Sequence, residues 1–370
     1  MFRSLLSVLF ACVLLGGCAA DEPEGVPATD FPVLDLQEVE RFLEPTFGAI
    51  SGMALAEDGR LFVSDSQSLE ISVFSEDGEL VHTIGEEGQG PGEFLSLSDI
   101  RIIEDALYAH DIRARRTTRW ALNALDQPEV VPRPEGSSHK LIGQHDGHSL
   151  WAENPITTIR SVSEADKQDR GSVSRLKESS GESDSLMAIP GTEMFILMTG
   201  DGVAFHSLDY YRETWFDFRD AVLYKHWSGD ARVTLFNMEM EPVDSVAVDF
   251  GGEPLTSRQR DELANQEWPQ EQTRSTYQQV LRERIPDRWP ATRHFFVDEN
   301  GRIWMGLNLR SEEQTRWVVF DEAHDPLGRV DLPSDVRLLA AKGDRVYGWL
   351  NDDEAGGPVP VHFALQGAVR

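Results

Sequence analysis

One stretch of this chain returns at a fixed interval. LFVSD followed by ISVFS (Leu61 to Asp65, Ile71 to Ser75) comes back as LYAHD followed by TTRWA (Leu107 to Asp111, Thr117 to Ala121). A shift of 46 residues places Leu61 on Leu107, Phe62 on Tyr108, Asp65 on Asp111 and Phe74 on Trp120 without a gap. A period of ~40–50 residues is that of a four-stranded propeller blade. One such sheet cannot bury both faces, whereas sheets stacked radially bury them against each other and leave short edges. The repeat therefore predicts an all-β fold in one ring. The nine tryptophans and eighteen phenylalanines are accounted for as packing between blades before any binding role is invoked.

The unit recurs. MALAEDGRLFV (53–63) and FFVDENGRIWM (295–305) share an apolar strand, an acidic turn, Gly-Arg and a second apolar strand. Asp58-Gly59 and Asn300-Gly301 predict type I′ hairpins, which need positive φ at both central residues. ISVFSEDG (71–78), VTLFNMEME (233–241) and WVVFDEAHD (317–325) fit a third-strand slot, and 243–250 a fourth. An outer hairpin turns at Ser180-Gly181, and a weaker copy sits at His145-Asp146-Gly147. The stretch 255–285 breaks the pattern and reads as a short helical insertion. Thr256 and Gln259 are spaced as a capping box, Pro269 divides two helices, and Tyr277, Val280 and Leu281 form a small apolar stripe.

GEEGQGPGEF (85–94), between GMALAEDGRLFVSD upstream and IRI (101–103) downstream, resembles the linkers of NHL-type six-bladed propellers of bacterial envelopes. The resemblance implies six four-stranded antiparallel blades, near 48–95, 96–136, 137–191, 192–251, 288–333 and 334–366. Residues 31–40 would supply a strand that closes the last blade, and Phe94 would plug the bottom of the barrel.

The N-terminus carries Arg3, an apolar run from Leu5 to Leu15 and then Gly16-Gly17-Cys18. The run matches a signal-peptide core and is shorter than the ~20 residues of a spanning helix. Leu15 to Cys18 resembles a lipobox, which implies removal of 1–17 and covalent lipid on Cys18. Cys12 would leave with the signal, so no internal disulfide is possible. Residues 18–30 read as an acidic, Pro-containing tether, and 31–370 as one propeller domain. Ala19, in place of an aspartate, favours the outer membrane by resemblance to lipoprotein sorting. With 34 basic against 64 acidic residues, nucleic acid and anionic surfaces are disfavoured partners.

Motifs for chemistry are sparse. There is no phosphate loop, no cysteine pair for zinc and no G-x-S-x-G elbow. His145 and His148 flank a tight turn and face solvent rather than a metal. Asp65 and Asp111, with His110 beside the latter, end second strands, where aspartate bonds the adjoining loop. Arg113, Arg115, Arg116 and Arg119 form a basic cluster expected to be compensated internally. The aromatic run 206–218 reads as blade core, with a carbohydrate or peptide groove as the alternative. No catalytic, metal or cofactor-binding residue is assigned, and no cofactor beyond the lipid on Cys18 is expected. The resulting expectation is a monomeric, membrane-anchored binding propeller for an envelope protein, peptide or glycan. The alternative is a metal-dependent, lactonase-like hydrolase or lyase with its site in the central channel.

Overall fold

The computed structural model describes residues 25–134, 139–153, 170–190, 195–199, 202–206, 211–265 and 285–366. Six four-stranded antiparallel sheets form a propeller ring. Blades 1 to 5 span 50–84, 97–130, 139–190, 214–247 and 292–333, each laid down in sequence order from its innermost strand outward. In blade 6 the C-terminal strands Arg337–Lys342, Arg345–Asp352 and Gly357–Gln366 are joined by Asp35–Arg41 as the fourth. The ring is thus closed by the strand expected from 31–40. The hairpin Phe195–Thr199/Gly202–His206 forms its own two-stranded sheet, so blade 4 begins at Thr214 rather than near 192.

Closure involves more than that strand. Val26 bridges Val248 in parallel at the end of blade 4, and Val33 bridges Arg329 on the outer strand of blade 5. Between them a short 3-10 turn, Ala28–Asp30, delivers Phe31 into the core shared by blades 4 and 5, edge-on to Phe320 at 5.1 Å. Leu34 then packs beside Gly328 and into the core of blades 5 and 6. Residues 26–41 therefore staple three consecutive blades. The acidic stretch assigned to the tether is docked from its last residues onward.

The cores lie between blades, as alternation demands. Trp120, Trp151, Trp304 and Trp317 are fully buried there. Phe94 is fully buried too, 6.1 Å from Trp120 and among side chains of blades 1 and 2. It seals a blade interface and does not plug the barrel. The linker 85–94 does join the outer strand of blade 1 to the inner strand of blade 2. Gly85 is obligatory in it, with φ +95° and a Cβ position 2.6 Å from the Phe94 ring.

The turns at 56–60 and 298–302 differ from expectation. Gly59 and Gly301 alone have positive φ, and their N–H groups donate to Ala56 and Asp298 carbonyls. These are type I turns closed by a left-handed glycine, because the loop holds three residues rather than two. True two-residue I′ geometry occurs at Asp146-Gly147 and at Asp220-Ala221 (φ 50° and 60°). Alanine pays a Cβ clash in that region. Ala221→Gly is expected to stabilise the protein by about 1 kcal/mol, read as a higher urea midpoint at unchanged slope.

The helix Ser257–Ala264 starts in the expected capping box: Thr256 Oγ1 accepts from Gln259 N–H, and Gln259 Oε1 accepts from Thr256 N–H. Pro269, Tyr277, Val280 and Leu281 lie outside the described residues.

Candidate functional site

The six innermost strands surround a central channel of about 220 Å³. Phe216, Phe295 and Leu339 of blades 4, 5 and 6 give the wall partly exposed apolar side chains, whereas Met53, Ile100 and Ile142 of blades 1, 2 and 3 are buried in the cores between blades. The close approach of blades 3 and 4 depends on Gly143, whose Cβ would fall 2.4 Å from the Phe218 ring. Interspersed charges come from blades 2, 4 and 5. Asp99 is paired with Lys140 of blade 3 at 2.5 Å and with Arg101 at 3.2 Å. Burial would raise its carboxyl, but the two cations outweigh that and hold it below the usual range. Asp217 is different. Burial pushes its carboxyl up, and the Val297 N–H together with Arg101 and Arg219 only partly reverses this. Both of its oxygens accept backbone N–H groups, from Val297 at 2.8 Å and from Phe218 at 2.8 Å.

Arg101 is followed two residues later by the turn pair Ile103↔Ala106, and Arg219 is itself paired with Val222 at the turn. Arg101 and Asp217 therefore stand at one level of the channel, with Arg219 one step nearer the turns. There the channel opens into a wider mouth, about 680 Å³, rimmed by Glu57, Asp58, Glu104, Asp105, Asp220 and Glu299. Asp58 is held by Arg60 at 2.7 Å, and Glu299 lies 3.6 Å from Lys342.

The same face shows a device that repeats around the ring. Arg60 of blade 1 donates to Leu122 O of blade 2, Arg101 to Ile142 O of blade 3, and Arg219 of blade 4 to Glu299 O of blade 5. Arg302 of blade 5 donates to Gly343 O of blade 6, and Lys342 of blade 6 to Glu57 O of blade 1. Five junctions are thus bridged by a cation giving to a carbonyl, a bond stronger than a neutral one. The Gly-Arg repeat foreshadowed two of these. The D-x-R pattern in Asp99-Ile100-Arg101 and Asp217-Phe218-Arg219 was the available signal for the channel charges.

The residues singled out from sequence are mostly structural. Asp65 accepts from Gly48, Ala49 and Gln67 N–H groups, and Asp111 from Leu95 and Ala114. Each ties a strand end to the linker entering its own blade. His110 is buried against Thr117. His145 and His148 flank the I′ turn, with His148 Nδ1 3.0 Å from Asp146 O. Arg116 donates to Gln89 and Glu93 carbonyls, holding the glycine-rich linker, and Arg119 pairs with Glu129 at 3.3 Å. Arg113 and Arg115 are exposed. Of the aromatic run, Phe216 and Phe218 line the channel, and residues 207–210 lie outside the described set, as does Cys18. Among the described residues no three His, Cys, Asp or Glu side chains converge as a metal-ligand group. No described helix is long and apolar enough to cross a membrane.

His226 binds blade 4 to blade 5. Its Nδ1–H donates to Arg232 O at 2.7 Å, which leaves Nε2 to accept from Thr292 Oγ1 at 2.6 Å. Burial pushes its pKa down to about 4, and that of His110 likewise to about 4. Both are neutral in the folded protein but would protonate at about 6.5 when unfolded. Their stabilisation is complete above pH 6.5 and is lost as pH falls through the window toward 4. The thermal midpoint is expected to fall over that window, and His226→Gln to make the fall shallower. An equally steep fall in the variant would count against this assignment.

Comparison with known proteins agrees with the architecture. A family model described as DUF5128, 6-bladed beta-propeller, matches residues 30–125. No curated protein matches the chain in sequence. A candidate exported protein from Bacteroides fragilis is similar in structure, with 14% identity, a TM-score of 0.53 and coverage of 93% of this chain and 98% of that one. A member of the duf4221 family from Bacteroides vulgatus gives 10% identity, a TM-score of 0.56 and coverage of 91% and 99%. At these identities the likeness is one of fold. Virginiamycin B lyase from Staphylococcus aureus overlaps at 11% identity over 90% of this chain and 99% of that one, with a TM-score of 0.45, and carries no chemistry over to this chain.

Proposed function

We propose that this chain is an envelope lipoprotein, held to the outer membrane through lipid on Cys18, whose propeller is a non-enzymatic binding module for a protein, peptide or glycan partner. The observation that carries this reading is the channel wall. Its surface is mixed, more polar than apolar, and its carboxylates are engaged by cations or by backbone N–H groups. A hydrolase or lyase of the metal-dependent kind needs carboxylates or histidines from several blades converging on one point. The acidic residues of the mouth are instead spread around a wide opening, and two of them face cations.

The anchor sets the presentation. Six residues separate Cys18 from Gly25, and the seven steps between them span at most about 25 Å. The first docked residue is on the outer rim of blade 4. The disc then stands with that rim near the bilayer and both faces open to a partner.

Cys18→Ser is expected to move the protein from the membrane fraction to the soluble one, and retention in the membrane fraction would remove the anchor. For the binding role, metal analysis of the full chain after dialysis without chelator is expected to give no stoichiometric metal. One equivalent, lost with stability on adding chelator, would replace this reading with the hydrolase or lyase alternative.

A further inference from the structure

The channel charges do not balance. Asp99 is neutralised by Lys140 at 2.5 Å, Asp298 by Arg302 at 2.5 Å, and Glu299 faces Lys342. What remains at the middle of the channel, among the described residues, is one carboxylate, Asp217, and two guanidinium groups, Arg101 and Arg219. In a chain with a formal charge of −30, this is a locally positive interior.

Nor are the guanidinium donors used up. Asp217 spends both oxygens on backbone N–H groups. Arg219 Nη1 makes a long bond of 3.3 Å to Glu299 O. Its Nε is buried and meets no hydrogen-bond partner among the described residues. Arg101 reaches Ile142 O at 3.3 Å and shares Asp99 with Lys140. A buried donor left unmade costs ~1–3 kcal/mol, more when charged, and a guanidinium presents its donors as a planar fork that suits a carboxylate.

We propose that the channel binds a small organic anion, a monocarboxylate with an apolar body, whose carboxylate lies between Arg101 and Arg219. The channel offers about 220 Å³, below the range of drug-sized sites, so the ligand it takes is a small one. Phe216, Phe218 and Phe295, each partly exposed, supply the surface for the apolar body. The acidic mouth, through which the site is reached from the turn face, selects against a second negative charge on the ligand. This site is independent of the anchor and of any partner on the outer faces, so its failure would leave the preceding reading untouched.

The test is equilibrium binding to the full chain in detergent, with benzoate, benzyl alcohol and phthalate as probes. Benzoate is expected to bind, with benzyl alcohol and phthalate each weaker by about tenfold or more. Arg219→Met and Arg101→Met are each expected to weaken benzoate by about tenfold or more, the loss of one charge-assisted fork. Arg219→Lys keeps the charge without the fork; an intermediate loss is expected, and this variant carries the test if Arg219→Met does not fold. Failure of benzoate to bind, equal binding of benzyl alcohol or phthalate, or unchanged benzoate affinity in the folded arginine variants would each overturn the proposal.

Discussion

Phe31→Ala is expected to destabilise the protein by about 3–5 kcal/mol, the range for removing a large aromatic from a packed core. Phe31 is 2% exposed and sits where blades 4 and 5 meet, packed with Val233, Val248, Met305 and Phe320. The surrounding backbone is fixed on both sides, by Val26 on Val248 and by Leu34 N–H on Arg329 O at 2.7 Å. The site therefore cannot collapse to refill the hole. The effect should reach beyond one interface, because Phe31 holds the segment that delivers Asp35–Arg41 to blade 6. Urea unfolding of the full chain is the measurement. A loss below about 1 kcal/mol, the scale of a surface change, would show that the ring closes without the staple. Val33→Ala provides the control, since Val33 is 76% exposed in the same segment.

Asp298→Ala is expected to cost a similar about 3–5 kcal/mol, for an electrostatic reason. The Asp298 side chain is wholly buried. Its Oδ1 accepts from Asn300 and Arg302 N–H groups, and its Oδ2 from Arg302 Nε at 2.5 Å and Trp304 Nε1 at 2.9 Å. Removing it strands a nearly buried guanidinium and an indole N–H, and it loosens the Arg302 bridge to Gly343 of blade 6. Blade 1 offers an internal comparison. Its turn, Ala56-Glu57-Asp58-Gly59-Arg60, carries the carboxylate two positions later, half exposed beside Arg60. There Asp58→Ala is expected to cost under about 1 kcal/mol, because solvent screens the pair and rehydrates the cation. Equal losses at the two turns would mean that burial does not set the difference.

Gly-Arg after an acidic turn identified the hairpins, but the two-residue I′ assignment missed the extra residue that makes each a type I turn. The carboxylate is buried at 298 and half exposed at 58 because it opens one turn, within reach of Arg302 and Trp304, and stands two positions later in the other. Phe94 was recognisable as an important aromatic, yet its destination between blades 1 and 2 follows from the radial stacking. The hairpin 195–206 was absorbed into blade 4 because one apolar alternation resembles another at short range.

By itself, the sequence determined the β class, the 46-residue register between the first two blades, the capping box at Thr256 and the strand-end roles of Asp65 and Asp111. These rest on periodicity, turn chemistry and short-range hydrogen bonds, which neighbouring residues encode directly. The tertiary structure alone decided that residues 26–41 staple blades 4, 5 and 6, that cations bridge successive blades to carbonyls, and that Arg101 and Asp217 share a level of the channel. Those contacts join positions up to some three hundred residues apart, such as Arg329 and Phe31. Such pairs meet only once the ring has closed, because the stacking of the blades, and not local preference, fixes which side chains face one another.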